Sequence, residues 1–176
     1  MGDVTALIEK WVRPIPDWPV PGVTFRDITP LLAQPEAFAS IIDALASAAE
    51  ELGPVDAVLG IEARGFIVGA PVALRLGAGF VPVRKEGKLP SETLSVSYAL
   101  EYGEATVQIH ADALQPGDRV LVVDDLLATG GTLEAADDLV ARAGASVAGH
   151  VVAIELPALG GRSRLGDVPL RSLATF

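Results

Sequence analysis

Two hydrophobic periodicities alternate along the chain and predict an alternation of helices and strands. In residues 35–52, apolar side chains recur at the spacing of one helix face, with Pro35 at the start and Gly53 after the end. Similar spacing predicts further helices over residues 5–12, 66–76 and 133–143. Short apolar runs predict buried strands over residues 55–61, 80–83, 119–123 and 147–154. A loop at residues 159–161 and a last short strand through Leu170 complete the pattern.

Two segments depart from this alternation. Apolar and polar side chains alternate in residues 93–100 and again in 106–110, with a turn at 101–104, which predicts an antiparallel hairpin. Residues 14–22 contain four prolines, so an ordered arm or linker is expected there instead of a helix or a central strand. We therefore expect an α/β fold in a single domain, 1–176, with a mostly parallel central sheet flanked by helices. Ligands bind such sheets at the carboxyl ends of the strands.

The composition narrows the range of partners. The chain has 176 residues, 50% of them hydrophobic, which suits one globular domain. Its formal net charge of −10 argues against a basic nucleic-acid-binding face. No apolar run reaches the ~20 residues of a membrane span, and the first residues do not resemble a signal peptide. The absence of cysteine excludes disulfides and thiolate metal sites. We expect a cytoplasmic protein without nucleic-acid or membrane partners.

The few lysines of the chain are unevenly distributed. Of the three, Lys10, Lys85 and Lys88, two lie in the short segment 84–88, which also contains Arg84. Because surface charges are screened over roughly 8–10 Å at physiological salt, this cluster can attract an anion despite the acidic balance of the whole chain. A solvated charged turn is the alternative interpretation of the same residues.

Residues 120–132 carry the strongest chemical signal. Apolar residues of a predicted buried strand end in two aspartates, and a small-residue loop with two glycines then leads into a helix. Glycines let the backbone approach a ligand closely, and free amide groups at a helix start favour a phosphate. The aspartates can accept hydrogen bonds from sugar hydroxyls or help to hold a divalent cation. The residues after the strand are Asp124, Asp125, Leu126, Leu127, Ala128, Thr129, Gly130, Gly131 and Thr132.

Other interpretations of this stretch explain less. It is neither a Walker A loop, since G-x-x-x-x-G-K-[ST] is absent, nor the G-x-G-x-x-G fingerprint. An ordinary helix start capped by Thr132 would not require the paired carboxylates. An acidic-pair hydrolase or a receiver-like switch would not require the glycine-rich loop.

The stretch resembles, along its whole length, the phosphoribosyl pyrophosphate (PRPP) binding motif of type I phosphoribosyltransferases. Further segments resemble those of adenine phosphoribosyltransferases, in the order of that family, so that the resemblance covers about residues 18–162. These segments are 21–30, 60–66, 84–90 and 100–103. The resemblance implies a small N-terminal hood over the base pocket in residues 1–34 and a flexible loop with the hairpin in residues 84–110.

The resemblance also implies a reaction. Adenine and PRPP would give AMP and pyrophosphate in purine salvage, in a homodimer that depends on Mg²⁺. The metal would be held through the pyrophosphate and ribose of the substrate, with Asp124 as the candidate protein ligand. The implied loop around residues 60–65 often holds a cis peptide bond, for which Glu62–Ala63 is the candidate. Water exclusion by the loop after Arg84 would protect the sugar phosphate from hydrolysis.

The resemblance assigns site residues in four groups. The ribose and its phosphate are assigned to Asp124, Asp125, Ala128, Thr129, Gly130, Gly131 and Thr132. Pyrophosphate is assigned to Arg64, Arg84, Lys85 and Lys88. Adenine is assigned to Thr24, Phe25, Arg26 and Leu126, with Thr24 standing where the family often has valine. The catalytic residues are Glu101, which would take the proton of the base near N7, and Arg64 and Lys88.

The residues alone leave several of these roles open. Without the resemblance, Phe25 is better interpreted as a core residue and Glu101 as a solvated turn carboxylate. A surface salt bridge is the lesser alternative for Arg64. The only histidines, His110 and His150, lack paired ligand spacing and are interpreted as structural or surface residues without a metal role. The tryptophans, Trp11 and Trp18, are expected to pack the N-terminal arm.

Two functional alternatives remain at this point. The first keeps the reaction but uses hypoxanthine, guanine or xanthine, against which the segments around Phe25 and Glu101 argue. The second is a regulator that senses PRPP or a nucleotide without catalysis. Such regulators usually carry an added nucleic-acid-binding region, and this chain has neither a spare domain nor a basic face.

Overall fold

A computed structural model describes residues 4–99 and 103–176. Within them, seven strands form one sheet in the order β5-β6-β4-β3-β7-β8-β9, and two form a separate small sheet. The large sheet contains β3 (Ala57–Ile61), β4 (Gly79–Lys85), β5 (Thr93–Ala99), β6 (Glu104–His110), β7 (Arg119–Leu127), β8 (Ser146–Glu155) and β9 (Leu170–Thr175). The small sheet contains β1 (Arg13–Ile15) and β2 (Phe25–Asp27). The helices are α1 (Val4–Trp11), α2 (Thr29–Leu32), α3 (Pro35–Glu50), α4 (Arg64–Leu76), α5 (Gly131–Arg142) and α6 (Gly161–Arg164).

The large sheet is mostly parallel. Strands β4, β3, β7, β8 and β9 run in one direction, and the β5–β6 hairpin joins β4 in antiparallel pairing. The predicted α/β fold and the predicted hairpin are therefore confirmed. Because the parallel strands end at one edge, the loops that follow β3, β4 and β7 converge there.

Side-chain alternation along the central strand β7 divides the core into two layers. Val120 and Val122 pack in one cluster with the apolar face of α5. Leu121 and Val123 pack in the other cluster, which contains the buried faces of α1, α3 and α4. A strand that is apolar on both faces is typical of the centre of a parallel sheet. This buried strand gives the loop that follows it a rigid base.

The end of this strand differs from the prediction. The sequence predicted an end at Val123, before the two aspartates, but β7 continues to Leu127. Asp124 still pairs with Val152 of β8, and Leu126 pairs with Ile154. In the local hydrophobic pattern, two carboxylates after an apolar run indicate the end of a strand. The actual end depends on pairing with β8, a strand distant in sequence, and this pairing continues to Leu127.

The C-terminal region also differs in detail. The predicted loop at 159–161 overlaps the end of a 3₁₀ turn, Pro157–Leu159, and the first residue of α6. The last strand, predicted to run through Leu170, is β9, which begins at that residue. Helix α6 packs against the loop after β7, since a Cβ on Gly161 would clash with the carbonyl oxygen of Ala128.

The N-terminal arm is ordered by the small sheet. Residues Arg13 and Asp27 pair at its end, where the Arg13 Nη2 atom lies 2.6 Å from Oδ2 of Asp27. The proline-rich segment between β1 and β2 contributes no strand to the large sheet, as predicted. Trp18 in this segment packs edge-on against Phe25 with ring centroids 4.5 Å apart, so this tryptophan contacts the arm as expected.

Candidate active site

The carboxyl edge of the large sheet encloses a cavity of ≈ 440 Å³. Its walls come from the ends of β3, β4 and β7, from the hairpin and from the first turn of α5. The polar lining residues include Glu62, Lys85, Tyr98, Asp124 and Thr132. The cavity therefore lies where ligands bind to parallel sheets, and it joins carboxylate, ammonium and hydroxyl groups.

The loop between β7 and α5 has the geometry of an anion site. Gly130 is the N-cap of α5 with φ of 83°, a left-handed conformation that favours glycine. A Cβ at this position would lie 2.6 Å from the carbonyl oxygen of Gly161. With no side-chain oxygen at the cap, the amide groups of the first helical turn are available to an anion, which the helix dipole also favours. The predicted residues Ala128, Thr129, Gly131 and Thr132 all lie in this loop or first turn.

The two predicted aspartates meet different partners. The backbone N–H of Asp125 donates to Oδ1 of Asp124 at 2.9 Å. Asp124 lines the cavity, whereas Oδ2 of Asp125 lies 3.0 Å from Nε of Arg64 at the start of α4. This Asp125 oxygen is buried without a hydrogen-bond partner, so the contact with Arg64 is an ion pair that lacks hydrogen-bond geometry. Asp124 is therefore the carboxylate of the pair that lies on the cavity wall.

Burial perturbs both carboxyl groups. It raises the pKa of Asp124 well above its ordinary value, and the neighbouring charge of Asp125 raises it further. Burial also raises the pKa of Asp125, against the opposing effect of Arg64. Two adjacent carboxylates ionise together only with difficulty. A bound cation or several hydroxyl donors would relieve this repulsion.

The pair fits a magnesium ion whose other ligands come from a substrate. Mg²⁺ prefers oxygen ligands and commonly binds through one or two carboxylates together with substrate phosphates. In residues 4–99 and 103–176, no group of three or more His, Cys, Asp or Glu side chains could hold a metal. The aspartate pair, with its unpartnered oxygen on Asp125, can supply part of the ligand set only.

The cationic side chains are distributed along this edge. Nε of Arg84 donates to Oε2 of Glu62 at 2.9 Å, and Lys85 lines the cavity. Lys88 is exposed in the turn after β4, where its backbone N–H donates to the carbonyl oxygen of Lys85 at 3.2 Å. The Glu62–Ala63 peptide bond between β3 and α4 is cis, as the resemblance implied. Three of the predicted anion-binding cations therefore lie on one continuous segment at the end of β4.

Glu62 lies on the cavity wall and contacts two of the predicted cationic residues, a role that the sequence did not predict. Its carboxylate accepts hydrogen bonds from the backbone of Lys85 and from Arg84, each at 2.9 Å. The Lys85 N–H makes the larger contribution to lowering the pKa of Glu62. Glu62 follows directly after a buried strand, which is the signal by which this residue could have been found.

Two of the predicted base-binding residues, Phe25 and Arg26, contact Arg64 at the start of α4. The Phe25 ring is half-buried and belongs to neither core cluster, and the Arg64 guanidinium lies 5.1 Å from its centroid. Arg64 also donates to the backbone carbonyl of Arg26 at 3.5 Å. Leu126 is half-buried and Thr24 is exposed. A ring that packs against a cation outside the core is a possible stacking surface.

Two further residues named from the sequence are Glu101, the predicted base, and His150, the predicted structural histidine. Glu101 lies outside the described residues, so its position stays a prediction. His150 is fully buried in β8, with Nε2 2.8 Å from Oδ1 of Asp137. This contact joins β8 to α5, which agrees with the structural role expected for that histidine.

An α/β sheet with a glycine-rich helix start, an aspartate pair and several cations at its carboxyl edge defines a phosphosugar- or nucleotide-binding protein. The family model for the phosphoribosyl transferase domain matches residues 27–173. The adenine phosphoribosyltransferase of Thermobifida fusca (strain YX) is 63% identical over 174 residues, covering 98% of both chains. The chain therefore belongs to the phosphoribosyltransferase family and, within it, to the adenine phosphoribosyltransferases.

Solved structures agree with this assignment. The adenine phosphoribosyltransferase of Thermoanaerobacter pseudethanolicus has a TM-score of 0.94 at 49% identity, covering 98% of this chain and 99% of that chain. The Saccharomyces cerevisiae enzyme, crystallised with D-DIAB and adenine, has a TM-score of 0.93 at 37% identity over 98% and 99% of the two chains. Within the described ranges of this chain, no helix is both long and apolar enough to cross a membrane.

Proposed function

We propose that the protein transfers the 5-phosphoribosyl group of PRPP to N9 of adenine, giving AMP and pyrophosphate. The C1–oxygen bond to pyrophosphate breaks, the C1–N9 bond forms, and the base loses one proton. The observation that carries the proposal is the helix start at Gly130 beside the Asp124–Asp125 pair, at the edge of one cavity. Membership in the adenine phosphoribosyltransferases supports the choice of substrates.

The ribose and its phosphate are assigned to the β7–α5 region. Backbone amides of residues 128–132, including that of Thr132, and the hydroxyl of Thr129 would bind the 5-phosphate. Asp124, which lines the cavity, and its neighbour Asp125 would accept hydrogen bonds from the ribose hydroxyls. Holding both ends of the sugar fixes C1 relative to the base, which lowers the entropic part of the barrier.

Mg²⁺ is proposed to bind through the pyrophosphate and ribose oxygens, with Asp124 as the protein ligand. When bound, the ion stabilises negative charge on the departing pyrophosphate. Asp124 lines the cavity and has a raised pKa, so cation binding would favour its ionised form.

The departing pyrophosphate is assigned to Arg64, Arg84, Lys85 and Lys88. Arg64 is paired with Asp125 and Arg84 with Glu62, so both guanidinium groups are held at the cavity edge. The charge on pyrophosphate increases as the bond breaks, and fixed cations stabilise that charge most in the transition state. Arg64 and Lys88 are the proposed catalytic members of this group.

Adenine is proposed to bind between Phe25 and Leu126, with its edge read by the backbone of Thr24 and Arg26. The Arg64 contacts with the Phe25 ring and the Arg26 carbonyl support a pocket next to the pyrophosphate site. Glu101 is the proposed general base, a role typically worth ~10²–10⁴ in rate. The proposal includes residues 1–34 as the hood and 84–110 as the loop and hairpin of one domain, in a cytoplasmic homodimer.

A base panel tests the substrate assignment. Release of pyrophosphate from PRPP is measured in the presence of Mg²⁺, separately with adenine, guanine, hypoxanthine and xanthine. Adenine alone is expected to support rapid turnover. Preference for another base would overturn the base pocket while leaving the sugar site intact. PRPP binding without turnover on any base would support the regulatory alternative.

A further inference from the structure

The hairpin of β5 and β6 is fastened along helix α5 by polar contacts near both helix ends. Nη1 of Arg142, in the last turn, donates to the backbone carbonyl of Ser95 at 2.5 Å. Oγ1 of Thr132, in the first turn, donates to the hydroxyl of Tyr98 at 3.2 Å. Leu94 and Tyr98 also pack against the core cluster that includes α5. The hairpin and the phosphate loop therefore meet at Tyr98.

The phenol ring of Tyr98 lies directly against the loop backbone. A Cβ on Gly131 would lie 3.3 Å from Cδ2 of Tyr98, so the glycine leaves room for the ring. Tyr98, Thr132 and Asp124 line the same cavity. Packing of the ring therefore holds the hydroxyl beside the first turn of α5.

In its hydrogen bond with Thr132, the Tyr98 hydroxyl is the acceptor, so its own O–H group is still available to donate. A tyrosine hydroxyl can accept one hydrogen bond and donate another. Because Thr132 donates to Tyr98, the Tyr98 O–H can donate to an acceptor in the cavity. The neighbouring loop residues are those assigned to the 5-phosphate, whose oxygens accept hydrogen bonds.

We propose that Tyr98 is a further ligand of the 5-phosphate, donating its hydroxyl proton to a phosphate oxygen while it accepts from Thr132. The inference rests on the proposed function, because that function places the phosphate on residues 128–132. It adds a ligand from the hairpin to a site otherwise built from one loop.

Tyr98→Phe tests the proposal, since it removes the hydroxyl and keeps the ring. Calorimetric titration compares AMP with adenosine, which lacks the phosphate. The variant is expected to bind AMP about tenfold more weakly and adenosine with unchanged affinity, because only AMP accepts the lost hydrogen bond. The matched control is Ser97→Ala, which removes an exposed hydroxyl from the same strand. The Ser97 hydroxyl lies 2.9 Å from the hydroxyl of Thr106.

Several results would overturn the assignment. Unchanged AMP binding by Tyr98→Phe would show that the hydroxyl does not contact the phosphate. Equal losses for AMP and adenosine, or an equal loss of AMP binding in Ser97→Ala, would indicate a general effect on the hairpin. Thermal unfolding of both variants checks that the fold is kept. Turnover of PRPP and adenine by the unmodified protein tests the proposed function separately, so the two failures are distinguishable.

Discussion

Arg64 and Asp125 form an ion pair across the carboxyl edge of the sheet, with Nε 3.0 Å from Oδ2. The Asp125 side chain is 3% exposed and the Arg64 side chain 35%. The same guanidinium contacts the backbone of Arg26 and the ring of Phe25. One arginine, itself assigned to the pyrophosphate, therefore contacts residues of both the proposed ribose site and the proposed base site.

This pair gives a prediction for stability. Arg64→Gln leaves a buried carboxylate without its cation, so the free energy of unfolding is expected to fall by about 2–3 kcal/mol. Adding Asp125→Asn removes that charge and should recover at least ~1 kcal/mol. Urea unfolding of the wild type, both single variants and the double variant completes the cycle. Strictly additive losses would show that the two side chains do not interact.

The left-handed N-cap of α5 gives a second prediction. Gly130→Ala combines an unfavourable φ of 83° with a Cβ 2.6 Å from the Gly161 carbonyl oxygen. Gly77→Ala is the matched control, because its φ is 65° but nothing lies within 4 Å of the added Cβ. Gly77→Ala is expected to cost about 1 kcal/mol of stability. Gly130→Ala should cost more and also weaken AMP binding, as measured by thermal unfolding and titration. Equal effects of the two substitutions would contradict the close approach at Gly130.

The sequence predicted most of the architecture because the decisive patterns are local. Helical and strand periodicity predicted the elements, and the contiguous residues 128–132 indicated the candidate anion loop. The strand end at Val123 was wrong because pairing with β8 extends β7 through the aspartates. Tyr98 received no site role because its partner, Thr132, is 34 positions away. Contacts between distant segments leave little trace in a single sequence.

A third prediction concerns the general base. Glu101→Gln keeps the size of the side chain but cannot take a proton, so kcat should fall by ~10²–10⁴ while the KM for PRPP changes little. Glu104→Gln is the matched control, since Glu104 is an exposed carboxylate at the start of β6. Steady-state kinetics with adenine compare both variants with the wild type. A small loss in Glu101→Gln, equal to that in the control, would exclude Glu101 as the base.

The hood gives a prediction for pH dependence. Hydrogen bonds from Arg13 and then from the Thr29 backbone lower the pKa of Asp27 from 3.8 to about 2. A depressed folded-state pKa stabilises the fold above pH 3.8, and this contribution disappears as the pH falls towards 2. Because Arg13 is largely exposed, screening limits the contribution to on the order of 1 kcal/mol.

Asp27→Asn tests this contribution. The stability difference between wild type and variant should be largest near pH 6 and should shrink as the pH falls from 5 to 2. Urea unfolding at several pH values gives the difference directly. A difference that stays constant with pH would show that ionisation of Asp27 does not contribute to stability.

The most direct test of the proposed function is product formation by the purified protein with adenine, PRPP and Mg²⁺. Mass spectrometry and a pyrophosphate assay should show AMP and pyrophosphate in equal amounts. The Asp124→Asn/Asp125→Asn variant should form both at least ~100-fold more slowly, because the groups that position the ribose are lost. Binding of PRPP without formation of AMP by the wild-type protein would contradict phosphoribosyl transfer to adenine.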